Sequence, residues 1–146
     1  MGSPRPAGYS GTPLPKKLGI KAGQRIAFLD APAEFAVALG ELPEGVGAVR
    51  TSARGPLDLV VAFFVERRRL RERLPRLIAA LEPDGALWIA WPKKASRVPT
   101  DVTEDVVREL GLAAGVVDVK VCAIDTTWSG LKLVVRVADR PTHPAR

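Results

Sequence analysis

The chain has one cysteine, Cys122, and one histidine, His143, among its 146 residues. A single thiol closes no intrachain disulfide, and the pair supplies too few ligands for a zinc site. With the only histidine in the closing "THPAR", no Ser-His-Asp or Cys-His nucleophilic arrangement is expected. Cys122 lies within an alternating apolar run and reads as a buried, inert thiol. Long apolar runs are missing as well. "LVVAFFV" (59–65) and "ALWIAW" (86–91) are far shorter than a bilayer crossing requires. The amino terminus "MGSPRPAGYSGTPLPKK" has no apolar stretch of the secretory kind, so a cytoplasmic location is expected, with no membrane partner. Aromatic residues make up only 5% of the chain, few for a protein that stacks bases.

What is present is a globular composition, 47% hydrophobic and 26% charged, long enough for one core. The net charge of +6 is unevenly spread: no acidic residue precedes Asp30, whereas Arg5, Lys16, Lys17, Lys21 and Arg25 are all basic. A second basic cluster is "ERRRLRERLPR" at 66–76. Such charge favours acidic partners, nucleic acid among them; the plainer reading is a solvated helix face and a basic arm.

Prolines and glycines crowd residues 1–24, which read as a basic arm with one helical turn at "PKKLGI". "RIAFLD" (25–30) has strand length, "AEFAVALGEL" (33–42) reads as a helix ending near Gly40, and "AVRTSA" (48–53) as a weak strand. "LDLVVAFFV" (57–65) is apolar without alternation, as a parallel strand covered on both faces would be. From Glu66 to Leu81, Leu70, Leu74, Leu77, Ile78 and Leu81 form one helical stripe that Pro75 should kink or split. "EPDG" (82–85) reads as a turn, "ALWIAW" as the next strand, and "TEDVVRELGLAAG" (103–115) as a helix. "VVDVKVCAI" (116–124) and "LKLVVRV" (131–137) alternate around a glycine-containing loop, the pattern of an antiparallel hairpin. Residues 139–146 read as a flexible tail. Alternating strands and helices predict one α/β domain at 25–138, a three-layer Rossmann-like sandwich with a mostly parallel sheet ending in the hairpin.

That order resembles the class I methyltransferase fold, most closely where "DLVVAFF" is followed by an amphipathic helix and "LEPDGALWIAW". The short link between the second and third strands implies a trimmed version lacking a helix. The resemblance would imply S-adenosylmethionine, but its motifs do not carry over. "AFLDAPAEFAVAL" puts Ala31 and Pro32 where glycines would let the cofactor approach, and "RTSAR" has no carboxylate for the ribose. No cofactor is therefore expected. "AGYSGTPLPKKLGIKAG", "GALWIAWPKKAS", "PTDVTEDVVRE" and "GLAAGVVDVKVCAIDTTWSGLKLVVR" resemble the bacterial domain of unknown function 3052 family, which implies no particular activity.

Ligands of open α/β sheets bind beyond the carboxyl ends of the strands. Those ends carry Asp30, Glu66 and the segment from Trp91 to Asp101. Lys93 and Lys94 are candidate anion contacts, with Ser96 and Thr100 adding hydroxyls; Trp91 and Asp101 complete the set. Asp101 also has the spacing of a helix cap, a role Thr100 or Thr103 could equally fill. In the arm, Tyr9, Ser10, Thr12, Lys16 and Lys17 would reach the same pocket if it closed as a lid. Trp88 reads as core, and Trp128 as either a packing plug or an exposed contact. The expectation is a non-catalytic protein that binds an anionic small molecule or a partner protein at this edge. The alternatives are a divergent methyltransferase and a nucleic-acid binder using the arm and the arginine-rich helix.

Overall fold

The structure, a computed structural model, describes residues 12–49 and 54–143. In chain order the elements are α1 (Leu14–Leu18), β1 (Arg25–Leu29), α2 (Ala33–Leu39), β2 (Gly47–Val49), β3 (Leu57–Phe63), α3 (Arg67–Ala79), β4 (Leu81–Pro92), α4 (Glu104–Ala114), β5 (Val116–Ala123) and β6 (Trp128–Val135). Short 3-10 turns occupy Lys94–Ser96 and Val137–Thr142. The six strands lie in the order β2-β1-β3-β4-β6-β5. The first four are parallel, and β6 is antiparallel to both its neighbours. This is the mostly parallel sheet with a terminal hairpin that the sequence predicts. Only residues 50–56 separate β2 from β3, which leaves β2 at the sheet edge.

The period-2 geometry of strands divides the core in two. On one face Ala27, Leu29, Val60, Ala62, Leu87 and Ile89 pack under α3 and α4. The stripe Leu70, Leu74, Leu77 and Ile78 forms the underside of α3. On the other face Ile26, Phe28, Val61, Phe63 and Trp88 meet α1 and α2 through Leu14, Leu18, Phe35 and Leu39. Each fully buried leucine contributes roughly 2 kcal/mol of transfer free energy.

The structure sharpens several local expectations. Of the kink or split expected at Pro75, the split does not occur: α3 runs unbroken through it. Pro75 lies on the exposed side, where water can serve the carbonyl that loses its partner. Residues 82–85 are not a turn ahead of the strand but an irregularity inside β4, where pairing passes from Leu57↔Leu81 to Leu59↔Ala86. Gly85 is needed in that irregularity, since a Cβ would sit 2.9 Å from the Leu57 carbonyl oxygen. Of the two courses open to the arm, folded or flexible, Thr12 to Gln24 take the folded one: Leu14, Leu18 and Ile20 are buried, and the indole N–H of Trp88 donates to the Leu18 carbonyl at 2.9 Å. The tail also packs as far as His143, which is buried and donates from Nε2 to the Leu81 carbonyl at 2.9 Å.

Candidate functional site

Strand order reverses between β1 and β3. The helix after β1 covers one face and leads to β2; the helix after β3 covers the other and leads to β4. A crevice opens at such a point because the two crossovers diverge. Here it is a cavity of about 370 Å³ beyond the carboxyl end of β1, lined among others by Phe28, Asp30, Pro32, Phe35, Leu39 and Arg73. That volume lies at the lower end of the range for small-molecule pockets.

Asp30 ends β1 with φ of 56°, in the left-handed region that disfavours a side chain. Aspartate tolerates this better than most residues, but it still costs on the order of 1 kcal/mol. The turn places its carboxylate 3.6 Å from the Arg69 guanidinium, an ion pair with both side chains about half exposed. Exposure makes that pair a weak stabiliser. Arg73, one turn further along α3, lines the cavity and has no carboxylate partner among the described residues. The cavity thus has an acceptor at one side and a cation at another, over an apolar floor.

The other strand-end candidates lie away from this cavity. Trp91 is only 7% exposed and packs in the core under α3 and α4, so its ring contacts the interior. Thr100 donates its hydroxyl to the Val65 carbonyl at 2.6 Å and accepts from the Val102 N–H at 3.0 Å. The Asp101 carboxylate accepts from the Arg67 N–H at 2.6 Å, and its own N–H donates to Val65 at 3.3 Å. The pair therefore ties the β4–α4 loop to the β3–α3 junction. Asp101 caps α3, while α4 is capped by Thr103, whose hydroxyl accepts from the Val106 N–H at 3.2 Å. Ser96 folds back onto the Lys93 carbonyl at 2.7 Å, and Lys94 is exposed.

Lys93 and the arm do meet, at the turn between β5 and β6. The Lys93 ammonium donates to the Asp125 carbonyl at 2.6 Å, and the Lys17 ammonium donates to that of Ala123 at 2.8 Å. Each keeps further donors for a ligand. Lys16 lies instead beside a shallow groove between α1 and α2, with Pro13, Ile20 and Leu42. Thr12 is half-buried; Tyr9 and Ser10 lie outside the described residues. Beneath the lysines, burial pushes the Cys122 thiol up, against the pull of Lys17, Lys120 and Lys93, so it stays protonated and inert. Trp128 is a packing residue, edge-on to Phe63 at 5.1 Å. Arg69 and Arg73 did not stand out among the other arginines of "ERRRLRERLPR". Their spacing of four, on the flank that follows Asp30 in the fold, is the signal that marks them.

Among the described residues no group of three or more His, Cys, Asp or Glu could hold a metal ion, and no helix is long and apolar enough to cross a membrane. No family's sequence profile matches the chain, and no curated protein matches it in sequence. Solved structures do match in fold. An S-adenosylmethionine-dependent methyltransferase from Aquifex aeolicus aligns with a TM-score of 0.52 at 16% identity, over 82% of this chain and 87% of the other. The pyocyanin biosynthetic protein PhzM aligns with a TM-score of 0.59 at 10% identity, over 82% and 52%. The magnesium protoporphyrin IX methyltransferase of Synechocystis, with bound S-adenosylhomocysteine, aligns with a TM-score of 0.50 at 11% identity, over 78% and 75%. The chain has the methyltransferase-like Rossmann fold.

Proposed function

We propose that the protein is a non-catalytic binding module that takes an anionic small molecule in the cavity beyond β1. The observation that carries this reading is Arg73, a guanidinium on the cavity wall that makes no ion pair among the described residues. Asp30 sets a second requirement: the ligand carries hydrogen-bond donors as well as negative charge.

The fold favours a second reading, a divergent methyltransferase, and the residues present do not fit its cofactor. Ala31 and Pro32 line the cavity where the close approach of S-adenosylmethionine requires bare backbone. From Gly47 to Pro56 the sequence contains no carboxylate to hold ribose hydroxyls.

Calorimetric titration with nucleotides and phosphorylated or carboxylated metabolites tests the proposal. A ligand should bind with an affinity that Arg73→Ala lowers at least about tenfold, the loss of one charge-assisted contact. The double change Lys93→Ala with Lys94→Ala should leave that affinity intact. Binding unaffected by Arg73→Ala would refute the site. Tight binding of S-adenosylmethionine or S-adenosylhomocysteine would favour the methyltransferase instead.

A further inference from the structure

Arg69, Arg73 and Arg76 stand at i, i+4 and i+7 on α3 and so share one flank of the helix. Arg69 reaches Asp30 and Arg73 lines the cavity, so this is the flank turned toward the carboxyl end of β1. Arg76 continues the row away from the cavity. It is exposed, and like Arg73 it has no carboxylate partner among the described residues. At 1.5 Å of rise per residue the row spans about 10 Å, longer than a single phosphate can bridge. The one acid within α3, Glu72, pairs with Arg68 at 3.6 Å.

A row of guanidinia leading into a cavity suits a linear anion with regularly repeated charge. We infer that the ligand is a single-stranded nucleic acid, lying with successive phosphates along Arg69, Arg73 and Arg76 and its last nucleotide in the cavity. This rests on the cavity reading above and extends it from a free small molecule to a polymer end. Arginine pairs with phosphate through two parallel N–H donors, which a flexible backbone can align with in turn. The Asp30 carboxylate accepts from the amino or imino groups of an unpaired base, while Phe28, Phe35 and Leu39 supply an apolar floor. A base inside a duplex could not turn in. An anionic membrane fits less well, because α3 exposes no large apolar side chain to enter the interface.

Fluorescence anisotropy of a labelled oligouridylate about twelve nucleotides long, titrated over a range of salt, reads the row; calorimetry with uridine monophosphate reads the cavity. Three phosphate contacts give log K against log salt a slope of about −2, at ~0.7 per contact on a single strand. Arg76→Ala should flatten it by ~0.7 and leave the mononucleotide affinity and the melting temperature unchanged. Arg73→Ala should weaken both ligands. If the mononucleotide binds but the oligomer binds no tighter, and Arg76→Ala leaves the slope unchanged, the polymer inference fails and the cavity reading stands. Oligomer binding with no mononucleotide binding, unaltered by Arg73→Ala, would overturn the cavity reading and with it the end-on placement. Equal or tighter binding of the duplex, or binding of phosphatidylserine vesicles without oligomer binding, would overturn the assignment to a single strand.

Discussion

Replacing Asp101 with alanine should destabilise the protein through α3, a helix from which it is separated by the whole of β4. α3 begins poorly on its own account. Its N-cap, Glu66, makes no side-chain capping bond, and its first turn holds arginines and no acid. Positive charge at that end opposes the helix dipole. Asp101 offsets both defects, because its carboxylate accepts the Arg67 N–H at 2.6 Å and brings negative charge to the helix start. Losing a capping acceptor costs about 1 kcal/mol, and losing the charge roughly 0.3–1 kcal/mol more. The sum of about 1–2 kcal/mol lowers the melting temperature by roughly 3–7 °C for a domain of this size. Asp101→Asn keeps an acceptor and should lose only the charge part. Urea denaturation measures the stability, and amide hydrogen exchange locates the loss. Arg67 and Leu70 should lose protection in Asp101→Ala while Val106 keeps it; Thr103→Ala, which removes the cap of α4, should do the reverse. The reasoning fails if Asp101→Ala deprotects Val106 instead, or falls within the ~0.5 kcal/mol scatter of ordinary surface changes.

Trp88→Phe removes the N–H that the buried Leu18 carbonyl accepts and leaves a gap beside it, so it should cost about 2–3 kcal/mol in urea denaturation. It should also speed proteolysis after Lys16, Lys17 and Lys21, since that bond holds the first segment to the sheet. Hydrogen bonding to Arg108 holds the Asp118 carboxyl below the usual aspartate range. A depressed folded value stabilises at pH above the unfolded value of about 4 and is lost as pH falls through the folded one. Stability should therefore decline below about pH 4, and Asp118→Asn should flatten that decline. An unchanged acid profile in that variant would show that Arg108 contributes nothing through Asp118.

Much of the fold was legible because its cause is local. The unalternating "LDLVVAFFV" marks a strand covered on both faces, the leucine stripe from Leu70 to Ile78 marks the underside of α3, and the period-2 run into Cys122 marks half of the hairpin. Burial on one side of a regular backbone imposes those periods, so they are written in a single stretch of chain. The same holds for the glycines missing at Ala31 and Pro32, since backbone approach to a ligand is set by the residues of one turn.

The partners of each polar side chain were not legible, because they come from distant elements. Asp101 has the spacing to cap its own helix, yet the sheet brings the start of α3 closer, and Thr103 takes the local role. Lys93 and Lys17 are remote in sequence and meet only because β5 and β6 carry their shared turn to the same edge. Asp30, Arg69 and Arg73 come together for a similar reason: crossovers on opposite faces bring the start of α3 to the end of β1. Sequence by itself determined most of the elements and the sheet class. Only tertiary structure decided which charges meet at the end of β1, because hydrogen bonds and ion pairs depend on a few ångströms that strand order sets.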